Sequence, residues 1–309
     1  MSYLAFDIGG TQVRAALATG QQIIASRSEP WPPERSADDD LTFVAELADR
    51  LLAEHAPPTP LRTAGVALAA LVDERGAVVS WPNRPSWRGL PFRTLLQTRL
   101  GLPVAIEDDA NAAALAEHID GAARGFRDAL VIMAGTGIGA GLILNGRLHR
   151  GRRGWAGELG HLTMQIDGPE CACGRRGCLQ MLASGRALER VAVAQGWPSA
   201  AALTRAAAHG EPAAVAAVAD AGRWLGLAAA NAVNLLDLEA VVIGGGLSAL
   251  DDPWWSAIQT MLDAQVLNAT HRPIILRKAT LPDSAGLLGA MHLAVQHSAA
   301  QAYHQERSS

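Results

Sequence analysis

The stretch LAFDIGGTQVRAALATG (residues 4–20) consists of two apolar segments joined at Gly9-Gly10, which is the pattern of a β-hairpin with a tight glycine turn. A second stretch, LVIMAGTGIGAGLILNG (residues 130–146), keeps its apolar positions and turn glycines in step with the first, so that Gly9 aligns with Gly135. We interpret the pair as a duplicated core in which each copy opens with a glycine-rich hairpin. Any two hairpins are alike over so short a length, so this interpretation depends on the rest of the chain.

Strands and helices alternate through the remainder of the chain, which predicts an α/β fold. Buried strands are expected at residues 63–70, 102–107 and 241–243, and helices at about 41–55, 109–119, most of 185–235 and 286–297. The length of 309 residues favours two domains. We assign residues 1–117 and 288–309 to a small N-terminal domain and residues 118–287 to a larger one, with a cleft between them.

The composition excludes several classes of protein. Hydrophobic residues make up 49% of the chain and charged residues 18%, which is enough to build a core and excludes wholesale disorder. The net charge of -4 argues against nucleic acid as the main partner, because phosphate binding usually requires a basic surface. No uninterrupted apolar run approaches the ~18 residues of a membrane-spanning helix, and the first residues lack the pattern of a signal peptide. We therefore expect a cytoplasmic protein.

The first glycine turn carries groups that can bind a phosphate. Gly9 and Gly10 let the backbone approach a phosphate closely with exposed N–H groups, and the hydroxyl of Thr11 can donate a further hydrogen bond. Asp7, which leaves the preceding strand, can hold Mg²⁺ directly or through water. The alternative reading is an ordinary tight turn.

The second copy offers the same chemistry at Gly135-Thr136-Gly137, without the carboxylate. Residues 135–141 also fit a loose dinucleotide-binding fingerprint, but a strand follows them where that motif requires a helix. The chain contains no G-x-x-x-x-G-K-[ST] motif. Gly244-Gly245-Gly246, at the end of a buried strand, would let an adenosine lie against the backbone. The sequence therefore predicts that two glycine loops clamp the phosphates of ATP.

The segment Glu107-Asp108-Asp109-Ala110-Asn111 joins a strand to a helix start. Carboxylates are favoured at this position by the helix dipole, so a purely structural role as a helix cap is one reading. The functional reading is that Asp109 accepts the proton of a substrate hydroxyl as its oxygen attacks the γ-phosphoryl group of ATP. The adjacent carboxylate of Asp108 repels that charge and raises one of the two pKa values unless a cation offsets it.

The three cysteines of the chain all lie in one short segment, together with a nearby histidine. His161, Cys171, Cys173 and Cys178 provide the four nitrogen and sulfur ligands of a closed tetrahedral zinc site, in a loop that spans residues 161–178. Because such a site has no open position, the metal would be structural. The alternative is a set of reduced cysteines without a metal.

Together these motifs resemble the actin, sugar-kinase and Hsp70 ATPase superfamily, and within it the glucokinase-like branch of the ROK family. The resemblance extends over essentially the whole chain, from Asp7 to residues 286–290. It implies a two-domain actin-like ATPase fold (ribonuclease H-like), with duplicated βββαβα-type cores and a central cleft. It also implies ATP, Mg²⁺ and a structural Zn²⁺ as cofactors, and a homodimer.

The resemblance further implies a role for each candidate site residue. Asp109 would be the catalytic base of a kinase that phosphorylates the primary (6-) hydroxyl of a hexose. Glu158 and His161 would bind sugar hydroxyls, and His161 would use its second ring nitrogen for the zinc. Asp108 and Gln180 would also contact the sugar.

Three positions of the expected sugar pocket depart from the family pattern. Asp108 replaces an asparagine, Gln180 replaces a glutamate, and Ala69-Ala70 replaces the Pro-Gly pair of many glucokinases. A second carboxylate accepts hydrogen bonds without donating them and can pair with an ammonium group. These substitutions favour an amino sugar such as glucosamine or kanosamine, or a cyclitol, over glucose. Neutral drift within a glucokinase is the alternative.

A sugar-sensing transcriptional regulator is the alternative from a different functional class, because ROK repressors share the fold and the zinc loop. Such repressors carry an N-terminal helix-turn-helix, whereas the glycine hairpin begins near Tyr3 in this sequence. We therefore expect a small-molecule substrate and neither nucleic acid nor membrane as a partner. A chaperone-like ATPase would leave the zinc loop unexplained.

Overall fold

The computed structural model describes residues 1–33, 36–271, 273–281 and 284–306. The strands are β1 (Ser2–Ile8), β2 (Gln12–Thr19), β3 (Gln22–Pro30), β4 (Leu61–Leu68), β5 (Leu71–Val72), β6 (Val78–Ser80), β7 (Val104–Asp108), β8 (Ala129–Ala134), β9 (Ile138–Leu144), β10 (Arg147–Leu148), β11 (Ala240–Gly244) and β12 (Ile275–Lys278). The helices are α1 (Ala37–Glu54), α2 (Phe92–Leu100), α3 (Asp109–Ile119), α4 (Gln180–Ala183), α5 (Gly185–Ala194), α6 (Ala200–Ala208), α7 (Pro212–Leu236), α8 (Trp254–Gln265) and α9 (Ala285–Glu306).

Two five-stranded sheets share one topology. Their strand orders are β3-β2-β1-β4-β7 and β10-β9-β8-β11-β12. In each sheet the first three strands form an antiparallel meander, and the other two are parallel to the first strand of that meander. The turn glycines that follow the two hairpins, Gly20 and Gly146, both have positive φ angles, of 62° and 72°. The predicted α/β fold with a duplicated, hairpin-led core is confirmed.

The chain divides into two compact units. Among the described residues, unit 1 comprises 1–116, 150–156 and 284–306, and unit 2 comprises 117–149 and 157–281. The division based on the sequence assigns residues 150–156 to the second domain, whereas the structure groups them with unit 1. The reason is a set of tertiary contacts to unit 1, described below, that no local pattern reveals.

Both faces of the unit 1 sheet are buried. Along β1, Leu4 and Phe6 belong to a core that also includes apolar residues of α1 and α2. Tyr3 and Ala5, which alternate with them, belong to a second core that includes apolar residues of α9. This period of two gives the sheet a buried apolar face on each side, one against α1 and α2 and the other against α9.

The close approach of α9 to β4 requires a glycine. A Cβ atom built on Gly65 would lie 1.9 Å from the carbonyl oxygen of Ala290 in α9. We expect Gly65→Ala to reduce the free energy of unfolding by about 3 kcal/mol, because backbone must move to relieve the overlap. Gly20→Ala is the control, since Gly20 has a positive φ but no atom within 4 Å of the added Cβ. That variant should lose only about 1 kcal/mol in urea denaturation, and equal losses would contradict the packing argument.

The core of unit 2 is built around the alanine-rich helix α7. Its buried face includes Leu225, Ala229 and Val233, which pack with residues of the unit 2 sheet and of α8. Among the described residues, α7 is the one helix long and apolar enough to cross a membrane by length and composition. Half of its most apolar window is buried within the protein, as is common for a core helix.

Four tryptophans that have the right chemistry to stack on a sugar face are packing residues instead. Trp81, Trp87 and Trp254 are all at most 3% exposed. Trp255 is partly buried and lies edge-on to Trp254, with ring centroids 5.1 Å apart.

Candidate active site

The parallel strands of unit 1 bring three predicted segments to one edge of the sheet. Ile8, Leu68 and Asp108 are register partners in β1, β4 and β7. The glycine turn, Ala69-Ala70 and the acidic segment follow these three positions directly. The N–H of Ala69 donates a hydrogen bond to the carbonyl of Ile8 at 3.1 Å. Ligand sites of α/β sheets lie at this carboxyl edge, which is the edge that the candidate residues share.

The first glycine loop is closed by a hydrogen bond from the N–H of Gly9 to the carbonyl of Gln12, at 3.1 Å. A Cβ atom on Gly10 would lie 1.8 Å from the side-chain nitrogen of Asn83, so glycine is required there for the side chain of Asn83 to lie against the loop. Gly9 and Gly10 are half-buried and Thr11 is exposed. The loop therefore presents backbone and a hydroxyl to its surroundings, as a phosphate site needs.

Asp7 lies at the end of β1 beneath this loop and forms an ion pair with Arg14 at 2.9 Å. Burial raises the pKa of Asp7, and the positive charge of Arg14 partly offsets that rise. A Cβ atom on Gly286, in the first turn of α9, would lie 2.7 Å from a carboxylate oxygen of Asp7. The carboxylate is thus held between a cation and the start of a helix, where negative charge is favoured.

The two aspartates of the acidic segment, Asp108 and Asp109, differ in their surroundings. Asp108 is half-buried, and its Oδ1 accepts hydrogen bonds from the N–H groups of Ala110 at 3.0 Å and Asn111 at 3.4 Å. Asp109 is the first residue of α3 and is exposed. Asp108 therefore caps the helix, and Asp109 places its carboxyl group at the surface of unit 1.

A third carboxylate, Glu107, is buried and is paired with an arginine that sequence reasoning did not identify. Its Oε2 accepts a short hydrogen bond from Nε of Arg150, and its Oε1 accepts one from Asn111 at 3.1 Å. Trp155 in turn donates from its indole to the carbonyl of Val72, at 2.8 Å. These two contacts attach residues 150–156 to unit 1.

In unit 2, the second glycine loop lines a cavity of about 430 Å³. The lining residues are Gly135, Thr136, Gly185, Arg186, Glu189, Gly246 and Leu247. The sequence motifs identified the two residues of the loop and Gly246. They missed Gly185, Arg186, Glu189 and Leu247. The first three of these lie in α5, which has no recognisable motif beyond its capping residue.

Backbone contacts hold the walls of this cavity together. The N–H of Gly185, in the first turn of α5, donates to the carbonyl of Gly135 at 2.8 Å, and that of Arg186 donates to Thr136 at 3.3 Å. Gly245 has a φ of 80°, and a Cβ atom there would lie 2.5 Å from the carbonyl oxygen of Ala134. The cavity therefore has glycine on two sides, which suits a ligand that lies against the backbone.

The four predicted zinc ligands converge in unit 2. The potential ligand atoms of His161, Cys171, Cys173 and Cys178 all lie within 4.8 Å of one another. The sulfur atoms of Cys173 and Cys178 are 3.6 Å apart, and Nδ1 of His161 is 3.8 Å from the sulfur of Cys171. These separations fit the ligand spacing of a tetrahedral site with metal–ligand bonds of about 2.0–2.3 Å.

The thiols of this cluster differ in their acidity. Burial acts to raise the pKa of Cys173, but hydrogen bonds from Arg175 and the neighbouring thiols outweigh it and lower the value to about 6. Burial and hydrogen bonds to Cys173 and Cys171 raise the pKa of Cys178 to about 12. The lowered pKa of Cys173 favours its thiolate, which is the form of cysteine that binds a metal.

The remaining two predicted sugar contacts lie next to this cluster. An oxygen of Glu158 is 4.0 Å from Nε2 of His161, on the side of the ring opposite the nitrogen that faces Cys171. Gln180 donates from its side-chain amide to the sulfur of Cys171 at 3.2 Å. The geometry gives Gln180 a contact to the sulfur of a predicted zinc ligand in addition to its predicted role toward the sugar.

Comparison with known proteins places these features in one family. The chain is 36% identical over 299 residues to a kanosamine kinase of Amycolatopsis mediterranei, covering 94% of this chain and 95% of that protein. A ROK hexokinase structure from Thermus thermophilus is 37% identical with a TM-score of 0.87, covering 96% of this chain and 99% of that one. The structure of a ROK family glucokinase from Streptomyces griseus, in complex with glucose and AMPPNP, is 31% identical with a TM-score of 0.78, covering 96% of this chain and 100% of that one.

The family assignment does not depend on any single relative. The ROK family model matches residues 3–297, which include both glycine loops, the acidic segment and the cysteine cluster. The solved structures share the actin-like ATPase fold over nearly the whole chain. The protein belongs to the ROK family.

Proposed function

We propose that this ROK-family sugar kinase transfers the γ-phosphoryl group of ATP to the primary hydroxyl of a hexose or hexose-like substrate. The main support for the proposal is the arrangement at the carboxyl edge of the unit 1 sheet, where the ends of β1 and β7 are in register through β4. The glycine loop directly follows β1, and the exposed carboxylate of Asp109 directly follows β7. Phosphoryl transfer needs a group that accepts the proton of the attacking hydroxyl and a turn that binds the phosphates.

Asp109 is the general base of this proposal. It accepts the proton of the substrate hydroxyl as the oxygen attacks the γ-phosphorus, and ADP leaves. Gly10 and Thr11 in unit 1 donate hydrogen bonds to phosphate oxygens, while the N–H of Gly9 closes the turn by its bond to the carbonyl of Gln12. In unit 2, Thr136 and Gly137 do the same, while the N–H of Gly135 closes that turn by its bond to the carbonyl of Gly137. The cavity that Gly246 lines receives the adenosine.

Magnesium bound to ATP would supply charge neutralisation of the β- and γ-phosphates. Asp7 lies two residues before Gly9, and Arg14 already binds one of its oxygens at 2.9 Å. A magnesium ion coordinated directly by Asp7 would have to compete with Arg14 for the carboxylate. We therefore assign Asp7 the role of orienting water around the magnesium rather than binding the ion itself.

A structural zinc fits His161, Cys171, Cys173 and Cys178, because four nitrogen and sulfur donors converge within 4.8 Å. When bound, zinc holds the donors as thiolates and imidazole and orders the loop. His161 would offer Nδ1 to the metal and Nε2 to a sugar hydroxyl, so its ring orientation would be fixed for substrate binding.

The capping role of Asp108 supports an amino sugar as the substrate. Its Oδ1 is fixed by the N–H groups of Ala110 and Asn111. An asparagine at this position could make the same cap through its own oxygen, so the replacement exchanges the amide donor of asparagine for a second carboxylate oxygen. A carboxylate oxygen accepts hydrogen bonds from an ammonium group, and one relative of this chain is a kanosamine kinase.

A substrate panel tests this proposal. ADP release is measured with glucose, glucosamine, kanosamine, N-acetylmannosamine and a cyclitol at fixed ATP, for the wild type and for Asp108→Asn. We expect kcat/KM for one of the two amino sugars to exceed that for glucose by about tenfold, which corresponds to one charge-assisted hydrogen bond. Asp108→Asn should reverse this preference while ATP binding is retained.

Asp49→Asn provides the matched control, because it removes an exposed carboxylate of α1 in the same unit. Its substrate preference should equal that of the wild type. An enzyme that turns over glucose better than either amino sugar would refute the amino-sugar assignment and leave the kinase assignment in place. Failure to phosphorylate any member of the panel would count against the proposed reaction itself.

A further inference from the structure

Trp31 contacts the first glycine loop at two points, although no motif in the sequence marks it. Its indole Nε1–H donates a hydrogen bond to the carbonyl of Gly9 at 2.7 Å. Its backbone N–H donates to the carbonyl of Thr11 at 3.2 Å. Trp31 therefore binds the carbonyl groups on both sides of Gly10.

The bond to Gly9 determines which way the next peptide group faces. In a trans peptide the carbonyl and the N–H point in opposite directions. With the carbonyl of Gly9 held toward Trp31, the N–H of Gly10 points away from the indole. A glycine pair can otherwise rotate this peptide at little cost, and the rotated form would turn a carbonyl oxygen toward a bound phosphate in place of an N–H donor.

A buried ion pair fixes the indole from its other side. The guanidinium of Arg84 lies over the ring of Trp31, 3.9 Å from the centroid. Arg84 pairs with Asp40 at 2.6 Å, and the side chain of Asp40 is fully buried. The same oxygen of Asp40 accepts a hydrogen bond from the indole of Trp87 at 2.9 Å. A charged pair removed from water in this way resists rearrangement, because breaking it leaves an uncompensated charge.

Three aromatic rings pack against the indole of Trp31, which is half-buried. The ring centroid of Trp31 lies 5.7 Å from that of Phe43, 6.2 Å from Trp81 and 6.1 Å from Trp87. Trp81 and Trp87 are themselves buried and in edge-on contact. The indole therefore has one orientation, and its N–H is aimed at the loop.

We propose that Trp31 is a positioning residue for phosphoryl transfer. It locks the Gly9–Gly10 peptide in the orientation that presents the N–H of Gly10 to a phosphate oxygen of ATP. Arg84 and Asp40 act through Trp31 by fixing its ring. This inference rests on the proposed kinase activity, and its test is designed so that the two can fail separately.

The test compares two substitutions at Trp31. Trp31→Phe removes the N–H and part of the ring, whereas Trp31→benzothienylalanine keeps the shape of the ring and replaces only the N–H. We expect both to lower kcat/KM for ATP about tenfold, the effect of one hydrogen bond, while KM for the sugar changes by less than about twofold. Trp254→Phe is the control, because Trp254 is a buried tryptophan of unit 2 whose Nε1 has no hydrogen-bond partner among the described residues.

Each outcome decides the proposal. Wild-type values of kcat/KM for ATP in both Trp31 variants would overturn it, and so would a loss confined to Trp31→Phe, which would indicate packing rather than the hydrogen bond. If the wild type phosphorylates no sugar, equilibrium binding of AMPPNP takes the place of kinetics. Binding about tenfold weaker in both variants would support the positioning role, and equal binding would refute it.

Discussion

Replacement of Asp109 by asparagine is expected to lower kcat about 10³-fold, which is the typical contribution of a general base. The amide cannot accept the proton of the attacking hydroxyl, but it has nearly the same size and can still make hydrogen bonds. Asp109 is exposed at the start of α3, so its replacement should leave the fold intact. The check is kcat from ADP release, together with equilibrium binding of AMPPNP and of the sugar, both of which should change by less than about threefold.

Asp49→Asn controls for the loss of one negative charge in unit 1 and should keep the wild-type kcat. An Asp109→Asn enzyme with more than a tenth of wild-type kcat would refute the assignment of the base. A variant that loses kcat and nucleotide binding together would indicate damage to the site rather than to proton transfer, and would also contradict the role given to Asp109.

Cys178→Ser is expected to abolish zinc binding and to lower kcat/KM for the sugar about 100-fold. Cys178 is fully buried, and its sulfur is 3.6 Å from that of Cys173. Loss of the metal would remove the bonds that tie the ring of His161 to the cysteines, and with them much of the stability that a closed site gives to its loop. Zinc content by mass spectrometry should fall from about one per chain to near zero, and limited proteolysis should cut within residues 161–178.

Arg176→Gln is the matched control in the same loop, since it breaks only an exposed ion pair with Glu170. Such pairs contribute little, so this variant should keep its zinc and its activity. Purification of wild-type protein with no bound zinc and full activity would rule out the structural metal. Retention of zinc by Cys178→Ser would show that Cys178 is not a ligand.

Local patterns were sufficient to predict much of this molecule. The hairpin-led duplication was predictable because glycine turns and alternating apolar residues are short-range signals, and both sheets carry them in the same order. The zinc cluster was predictable because its cysteines lie within one segment, and their donor atoms do converge. The roles of Asp109, Glu158 and the glycine loops toward substrates remain predictions.

The features that sequence reasoning missed are those made by distant parts of the chain. Trp31 and Arg84 are unremarkable in sequence, and only the packing of β3 and the loop before α2 brings them to the glycine turn. The pairing of Glu107 with Arg150 likewise joins residues 43 positions apart. The helix cap made by Asp108 was foreseen as an alternative to function, and the structure shows that its Oδ1 makes this cap.

The most direct measurement is a crystal structure of this protein with AMPPNP and its preferred sugar from the panel. The account predicts a carboxylate oxygen of Asp109 within about 2.6–3.2 Å of the primary hydroxyl of the sugar, with that hydroxyl directed at the γ-phosphorus. A complex in which another group binds that hydroxyl, or in which a ring hydroxyl faces the γ-phosphorus, would contradict it.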